Sequence, residues 1–472
     1  MTIRSCLLAS LSGLALTLSA CATTPSTQGN PRDSRVEVTR QGPVLHIQYQ
    51  FDREAVVWVF TDSARKTDGR QPWRPEQWRV LTPGVVLDRL GQYDVLRTQD
   101  GSPVPRSVEI ESHPRSVDLE GEYRTLVFST GAVALPNRQV NLFPMQSLAD
   151  VEALPNDLNG VSLPTPPIEA VWRDEAGSVL YRGEAFARLI TRLEQSYVLM
   201  GDVPVTRGEG LTAIIDPALP EWLASSLTTA APATGQWYRE RLGPAKAGAD
   251  RPVLMAAWSG PTASMTSMSG SVLPGLIVMV FEGQGIAARN EEVGGRALRF
   301  VAHEAAHFWL GQTVAYDFAR DAWITEGGAE LLAVRALRGQ SPEFDDRAEL
   351  QKELDDCVRL ARQPIYTAGE RGEHRAYYAC GAVFGLAAEA AQKRKSGGDF
   401  VAFVRELLGR NQDGSVNAAE WLDQFRQTGG SEAQVQAMTR LLEQGSNDPV
   451  QELKVILSEI NPRLEASRLV LR

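Results

Sequence analysis

The feature that most restricts how this chain can fold is the stretch Val301–Gly311, which contains two histidines four residues apart, His303 and His307. On a helix, both imidazoles project from the same face, about one turn apart. Neutral imidazoles at that separation can bind one Zn²⁺ ion at about 2.0–2.1 Å. Glu304 directly follows the first histidine, so its carboxylate points beside the metal, where a general base acts on the attacking water. The stretch therefore predicts a helix that carries a metal site and a base.

A glutamate further along the chain has the spacing of a third ligand. Eighteen residues separate His307 from Glu326, which lies in a tryptophan-containing segment that continues with glycine. With the HEXXH motif and this spacing, the chain resembles the gluzincins of the membrane alanyl aminopeptidase family. The resemblance implies a thermolysin-like domain, one Zn²⁺ ion held by His303, His307 and Glu326, and peptide hydrolysis with Glu304 as general base. The alternative is a buried histidine pair on a core helix, but the chain has only five histidines and two have ligand spacing.

The same resemblance implies a tyrosine that stabilises the developing oxyanion. Family members carry it in a Tyr-x-Lys-Gly segment, and here the segment Tyr377-Tyr378-Ala-Cys380-Gly381 lies about fifty residues after Glu326. Tyr378 matches the family tyrosine by its spacing to Gly381, so it is preferred over Tyr377. Cys380 replaces the family lysine, which makes the match partial.

One residue of the family pattern is missing. Members hold the free amine of the substrate with the glutamate of a Gly-Ala-Met-Glu-Asn segment, and that position falls on Val272 here. An ammonium without a carboxylate partner loses a contact worth about 1.5–3 kcal/mol. The sequence therefore leaves aminopeptidase and endopeptidase action both open. Glu330 is an alternative partner for the amine, and a structural role on the helix surface is the competing interpretation.

The N-terminus has the pattern of a targeting signal, with Arg4 ahead of the short apolar run Leu7–Leu18. The run is too short to be a good membrane-spanning helix. It leads into Leu-Ser-Ala-Cys21, which resembles a bacterial lipobox and implies cleavage before Cys21 and lipidation of that cysteine. An ordinary signal peptide cleaved close by is the alternative. With Ala22 after the cysteine, the resemblance implies a lipid-anchored protein of the cell envelope, on the outer membrane and facing the periplasm.

Two cysteines remain once the N-terminal pair is assigned. Cys6 is lost with the signal and Cys21 carries the lipid, which leaves Cys357 and Cys380 in a compartment that permits disulfides. A bridge between them is worth about 3 kcal/mol in the chain-entropy model. We expect this disulfide, with two buried free thiols as the alternative.

The hydrophobic pattern changes near residue 204. Before it, alternating runs such as Val44–Phe51 and Tyr123–Ser129 predict antiparallel strands of a sandwich-like domain. After it, a few strand candidates precede helical periodicity that continues from Tyr377 to the end of the chain, and Trp222–Leu242 predicts a helix broken or kinked at Pro232. The predicted fold is α+β and multidomain. Its parts are a signal peptide (1–20), a flexible tether (21–35), a β-rich N-terminal domain (36–203) and a thermolysin-like, mostly helical catalytic domain (204–472).

Charge and composition restrict the partners. The net charge is −10 without a basic block, which argues against nucleic acid. The expected partners are a peptide or protein substrate and the membrane, through the lipid anchor, while the oligomeric state stays open. Two other functions compete with a zinc metallopeptidase: a non-catalytic envelope scaffold or binding lipoprotein on a peptidase fold, and zinc-dependent hydrolysis of a substrate other than a peptide.

Overall fold

The computed structural model describes residues 33–69, 71–120, 122–155, 158, 161–165, 167–192, 195–208, 211–245, 252–262, 266–465 and 468–471. The predicted signal peptide, the expected lipidation residue Cys21 and most of the tether lie outside these ranges. The fold is α+β, with a β-rich N-terminal region followed by a largely helical C-terminal part, which confirms the predicted fold class. Every described helix is too short or too polar to traverse a lipid bilayer.

The strands of the N-terminal region form sheets with the orders β14-β11-β1-β2-β7-β4, β10-β3-β6-β5 and β13-β12-β15-β9-β8. Their bounds are β1 (Arg35–Gln41), β2 (Val44–Gln50), β3 (Val57–Phe60), β4 (Trp78–Val80), β5 (Val85–Leu90), β6 (Tyr93–Thr98), β7 (Ser107–Ser112), β8 (Leu126–Val127), β9 (Val133–Pro136), β10 (Leu142–Met145), β11 (Glu169–Asp174), β12 (Val179–Tyr181), β13 (Glu184–Phe186), β14 (Leu189–Thr191) and β15 (Tyr197–Met200). The short helices α1 (Arg74–Gln77) and α2 (Leu148–Glu152) connect them. Alternate side chains of β1 and β2 are buried, as their period-two pattern predicts.

The strand predicted over Tyr123–Ser129 is wrong except for the two residues of β8. The short strand β8 pairs with β9, but side chains bind the backbone at the start of this segment. The Gln139 amide donates to Tyr123 O at 2.9 Å, and the Tyr197 hydroxyl donates to Arg124 O at 2.7 Å. Because these side chains satisfy the carbonyls, the segment runs as an ordered loop beside the C-terminal part.

The C-terminal part opens on a mixed sheet with the order β16-β17-β18-β20-β19, in which β19 is an edge strand. Its strands are β16 (Val205–Arg207), β17 (Thr212–Ile215), β18 (Val253–Trp258), β19 (Ser267–Leu273) and β20 (Leu276–Glu282). Short strands β21 (Ala315–Tyr316), β22 (Ser415–Val416), β23 (Arg463–Glu465) and β24 (Arg468–Val470) follow. The helices are α3 (Glu221–Leu242), α4 (Gln284–Ala287), α5 (Glu291–Ala306), α6 (Trp323–Gln340), α7 (Asp346–Leu360), α8 (Arg375–Ser396), α9 (Phe400–Arg410), α10 (Ala418–Thr428), α11 (Glu432–Glu443) and α12 (Pro449–Ile456).

Two predictions about the helices are corrected by the structure. Helix α3 runs through Pro232 without a break, because the buried side chains on either side of it, including Leu227 and Tyr238, pack into the core of the C-terminal part. Helical periodicity does not reach the end of the chain, where β23 and β24 pair as a hairpin. Gln351 of α7 donates to Leu469 O at 2.8 Å, so a side chain of a distant helix holds this hairpin in place.

The N-terminal region and the C-terminal part share an apolar core. Side chains of the β9 and β15 sheet, such as Leu199, pack in one cluster with Ile214, Met255 and Val278 of the mixed sheet. The buried carboxylate of Asp216 adds a polar connection, since it accepts hydrogen bonds from the backbone N–H and the hydroxyl of Ser129. These contacts hold the two parts together beside the edge strand β19.

Candidate metal centre

Helix α5 positions the two histidines. Its cap is Asn290, whose side chain accepts hydrogen bonds from two backbone N–H groups of the first turn. Val301 and Ala305 are buried in the core, which leaves His303 and His307 together on a neighbouring face. The chain turns away at Gly311, whose φ of +130° is a conformation that favours glycine.

Three donor atoms from α5 and α6 form a nearly equilateral triangle. His303 Nε2 and His307 Nε2 lie 3.1 Å apart, and Glu326 Oε2 lies 3.4 Å from the first and 3.3 Å from the second. Tetrahedral ligands at about 2.0–2.1 Å from a zinc ion are about 3.3–3.4 Å from one another. The spacing and the chemistry of the donors, two imidazoles and one carboxylate, therefore fit zinc.

The hydrogen bonding of the cluster also fits a bound cation. His307 Nδ1 lies 2.8 Å from Leu310 O, and because a carbonyl only accepts, Nδ1 carries the proton of the neutral imidazole, which leaves the lone pair of Nε2 for a cation. Glu326 Oε2 is buried and faces His303 Nε2 at 3.4 Å and His307 Nε2 at 3.3 Å. A buried carboxylate oxygen is costly unless a proton donor or a cation binds it.

The electrostatics of the cluster favour positive charge. Burial lowers the pKa of His307, but the hydrogen bond and the charge of Glu326 outweigh it and raise the pKa to about 9. For Glu326 the balance is reversed: burial raises the pKa, whereas hydrogen bonds from His303 and His307 bring it well below its usual range. Both shifts have the same cause, the attraction between the imidazoles and the carboxylate of Glu326, and the carboxylates Glu304 and Glu326 beside the imidazoles would also attract a metal cation.

Glu304 lies next to the triangle on α5 and is half-buried. Burial raises the pKa of its carboxyl; His303 and His307 lower it, and Glu326 and Glu330 raise it again. The net shift of the pKa is upward, and a carboxylate beside the donor triangle can exchange a proton with an attacking water. This is the placement that the sequence predicts for the base.

Tyr378 reaches the cluster from α8. Its ring stacks on His303 with the centroids 5.5 Å apart and the planes 16° from parallel. Burial raises the pKa of Tyr378, and the charge and hydrogen bonding of Glu326 raise it further, so the phenol stays protonated and can donate. The hydroxyl of Tyr377 instead accepts from Gly369 N at 3.0 Å. The structure thus brings Tyr378 to the cluster and turns Tyr377 away from it.

The approach of α8 to α6 depends on two glycines. A Cβ atom on Gly327 would lie 2.2 Å from Gly381 Cα, and a Cβ atom on Gly381 would lie 2.1 Å from Trp323 O. The helices therefore pack backbone against backbone at this point, one residue from Glu326 and three from Tyr378. A disulfide between Cys357 of α7 and Cys380 of α8, with an S–S distance of 2.10 Å, ties a third helix to the pair.

Glu330 lies behind His303, one turn after Glu326 on α6, and is buried rather than on the helix surface. Its Oε1 is 3.8 Å from His303 Nδ1, and its Oε2 accepts from Arg299 Nη2 at 2.8 Å. Arg375 Nη1 lies 3.6 Å from the same carboxylate. The carboxylate of Glu330 thus lies on the Nδ1 side of His303, away from the Nε2 atom that belongs to the donor triangle, and it already has three partners. This disfavours the interpretation that Glu330 binds a substrate amine.

Sequence reasoning overlooked Arg299, although its position one turn before His303 was a signal. A basic residue on the histidine face of α5 needs a carboxylate partner when that face is buried. Arg299 binds Glu330 and also pairs with Glu353 of α7 at 2.5 Å. It therefore connects the helix of the histidines to the carboxylate behind them.

Val272 lies on the edge strand β19, paired with Ile277 of β20 and packed against the apolar core. Gln312, in the loop after His307, holds the end of this hairpin. Its amide donates to Leu273 O at 3.0 Å and accepts from Gly275 N at 3.2 Å. The edge strand is therefore fixed next to the histidine helix, with an apolar side chain at the position where the family resemblance implies a glutamate.

No family model matches the chain, and no curated protein matches it either. Among solved structures it is similar to an M1 zinc metallopeptidase from Deinococcus radiodurans, seen in a mutant form bound to a Tyr-Ser-Ala substrate. The identity is 14%, with 88% of this chain and 94% of that chain covered and a TM-score of 0.47. It is also similar to native LTA4 hydrolase from yeast, at 12% identity, with 92% and 73% covered and a TM-score of 0.49.

Proposed function

We propose that this chain is a zinc-dependent peptidase in which His303, His307 and Glu326 hold the ion and Glu304 is the general base. The observation that carries the proposal is the triangle of donor atoms, with sides of 3.1, 3.3 and 3.4 Å, beside a half-buried glutamate. Two imidazoles and one carboxylate leave a fourth position open, as catalysis by zinc requires.

The chemistry divides between the ion and the side chains. A zinc ion bound here would bring the pKa of water toward about 7 and polarise the carbonyl of the scissile bond. Glu304 accepts a proton as water attacks that carbonyl carbon, and it returns a proton to the nitrogen of the leaving amine as the C–N bond breaks. Tyr378, whose phenol stays protonated, donates to the oxygen on which negative charge develops.

The edge strand β19 supplies a place for the rest of the substrate. An extended peptide can pair with the free edge of such a strand by main-chain hydrogen bonds. Val272 offers no charge to a terminal ammonium, so this strand supports binding of a peptide backbone rather than selection of a free amino terminus.

The test is mass spectrometry of a mixed peptide library incubated with the chain from Ala22, supplied with zinc, and with Glu304→Gln as the matched control. Glu304→Gln retains the donor triangle, so we expect it to bind zinc stoichiometrically and to lose cleavage. Equal cleavage by both proteins would remove Glu304 from the mechanism. Zinc binding without cleavage by either protein would favour a substrate other than a peptide, and a metal-free wild type would favour the scaffold function.

We further propose that the mature protein is anchored at Cys21 to the outer membrane and faces the periplasm. The support is the lipobox-like end of the targeting signal. Expression in a Gram-negative host should give metabolic labelling with palmitate that is lost in Cys21→Ser, together with recovery of the wild type in the outer-membrane fraction. An unlabelled, soluble wild type would contradict the anchor.

A further inference from the structure

A cavity of about 720 Å³ lies where the N-terminal region meets the edge strand of the mixed sheet. Asp62, Arg89 and Arg138 of the N-terminal region contribute to its wall, and so does Ser271 of β19. Its volume is in the range of ligand-binding clefts. None of the proposed metal ligands lines it, so it is a separate space beside the candidate metal centre.

A second cavity adjoins the same strand. This smaller cavity of about 150 Å³ is lined by Ser269, Gly270 and Ser271, and the two share Glu122 and Tyr123 in their walls. Strand β19 also packs closely on helix α5, since a Cβ atom added to Gly270 would lie 2.6 Å from Phe300 Cζ. An extended chain paired with β19 would therefore run beside the helix of the two histidines and along the walls of both cavities.

Hydrogen bonds hold the wall between the two cavities in place. Arg124 Nη2 donates to Ser269 Oγ at 2.6 Å, which ties the loop of Tyr123 to β19, and Gln139 fixes the carbonyl of Tyr123 from the other side. The buried guanidinium of Arg74 donates to Asp62 O at 2.8 Å and to Gln139 O at 3.0 Å. The cavity is thus preformed, and a ligand would not have to order its walls.

The chemistry of the lining selects the kind of ligand. Charged side chains of both signs contribute to it: Asp62, Arg65, Arg89, Glu120, Glu122 and Arg138. Asp62 and Arg138 pair with each other at 3.2 Å. Because positive and negative groups are balanced, a strongly charged anion or cation gains little, and an apolar side chain would remove water from the charges without a compensating contact. A peptide segment with polar and charged side chains can contact groups of both signs.

We propose that this cavity is a binding subsite for a polar segment of an extended peptide, several residues to one side of the scissile bond. The proposal rests on the peptidase function proposed above and names its substrate class: peptides and protein segments longer than a tripeptide. An extended chain advances about 3.3 Å per residue, so a tripeptide spans about 10 Å and a nonapeptide about 30 Å, and only the longer chain has residues to spare for a second binding region.

Binding to the inactive variant Glu304→Gln, loaded with zinc, tests the subsite without turnover. The probe is a fluorescein-labelled pool of nonapeptides in which each position is a mixture of Ala, Ser, Asp and Lys, followed by fluorescence anisotropy. Unlabelled nonapeptide and tripeptide pools of the same composition compete with it. We expect the nonapeptide pool to compete about tenfold better, which corresponds to about one additional charged hydrogen bond.

Variants that block the cavity test whether the advantage of the longer peptides arises there. Gln92 and Gln195 are exposed residues of the cavity lining, so Gln92→Trp and Gln195→Trp should fold normally and fill its opening. Gln48→Trp, on an exposed position of β2 outside the lining, is the matched control. We expect the advantage of the nonapeptide pool to disappear in the two blocked variants and to persist in the control.

Three outcomes would overturn the subsite: no binding of the nonapeptide probe, equal competition by the two pools, or an advantage that survives both blocks. Cleavage by the wild type is scored separately. A length advantage that the blocks abolish, in a protein that cleaves no peptide, would retain the subsite and reject the peptidase. Cleavage of peptides without any length advantage would retain the peptidase and reject the subsite.

Discussion

Adjacent residues of α8 have different surroundings, and this separates the two candidate tyrosines. The ring of Tyr378 stacks on His303, whereas the hydroxyl of Tyr377 accepts from Gly369 N. Loss of one oxyanion donor costs about 10²–10³ in kcat. For Tyr378→Phe we expect a decrease of about that size with KM little changed, and for Tyr377→Phe nearly wild-type kinetics. Steady-state rates on a cleaved library peptide decide between them, and a larger loss in Tyr377→Phe would contradict the assignment.

Glu330 illustrates how a residue that touches no substrate can act on a metal site. It lies 3.8 Å from His303 Nδ1, within reach of a small rotation of the imidazole. Partners of this kind orient a ligating histidine, and their removal weakens metal binding by about 10–100-fold. We expect Glu330→Gln to weaken zinc affinity by that factor in competition with a chromogenic chelator.

The matched control for Glu330→Gln is Glu349→Gln. Glu349 also pairs with Arg299, but no contact places it against His303. The control should bind zinc as the wild type does. A similar loss in both variants would show that the charge network as a whole, and not the contact with His303, sets the affinity.

Local spacing explains why part of the site could be predicted from the sequence. His303, Glu304 and His307 are neighbours on one helix, so helical geometry alone brings them together. The orientation of Glu330 could not be predicted, because it depends on Arg299 of α5 and Arg375 of α8, which only tertiary packing brings to the same carboxylate.

At the scale of helices, the contact of α6 with α8 sets the distance between Glu326 and Tyr378. The two helices touch at Gly327 and Gly381, where a Cβ atom on Gly381 would lie 2.1 Å from Trp323 O. A methyl group there forces the backbones apart, and overpacking typically costs about 1–3 kcal/mol. For Gly381→Ala we expect a loss of that size in the free energy of unfolding, measured with urea.

The control for Gly381→Ala is Gly409→Ala, on α9, where an added Cβ atom would meet nothing within 4 Å. Alanine is a better helix former than glycine by up to about 1 kcal/mol. The control should therefore be neutral or slightly stabilising. If both variants lost stability equally, the close approach of α6 and α8 would not be the cause.

Elements that depend on their own periodicity were predictable, and elements that depend on a distant side chain were not. The alternation of β1 and β2 is visible in the sequence and in their burial. The loop at Tyr123–Ser129 and the terminal hairpin instead owe their conformations to Gln139, Tyr197 and Gln351. Local pattern carries no information about such partners. Helix α3 shows the opposite case, in which packing outweighs the local cost of Pro232.

At the scale of the whole molecule, the apolar cluster shared by the N-terminal region and the C-terminal part joins them into a single packed unit. Met255 and Val278 of the mixed sheet pack with Leu199 of the N-terminal region, and Asp216 binds Ser129 across the same boundary. The change of pattern near residue 204 indicates two domains but does not predict this interface. In the sequence, apolar side chains that pack between the two parts look the same as apolar side chains that pack within one part. A large apolar interface of this kind opposes independent motion of the parts.

Coupling through this interface should be visible in unfolding. Met438 is fully buried on α11, and truncation of a buried methionine to alanine costs about 2–5 kcal/mol. If the parts unfold together, Met438→Ala lowers the urea midpoint of β1 and β2 as much as that of α11. Hydrogen exchange of peptides from these elements, followed by mass spectrometry across a urea series, measures both. Gln436→Ala, at an exposed position of the same helix, should leave both midpoints unchanged. Strands β1 and β2 that keep the wild-type midpoint in Met438→Ala would show that the parts unfold separately, and that the cavity beside β19 can open without loss of the metal centre.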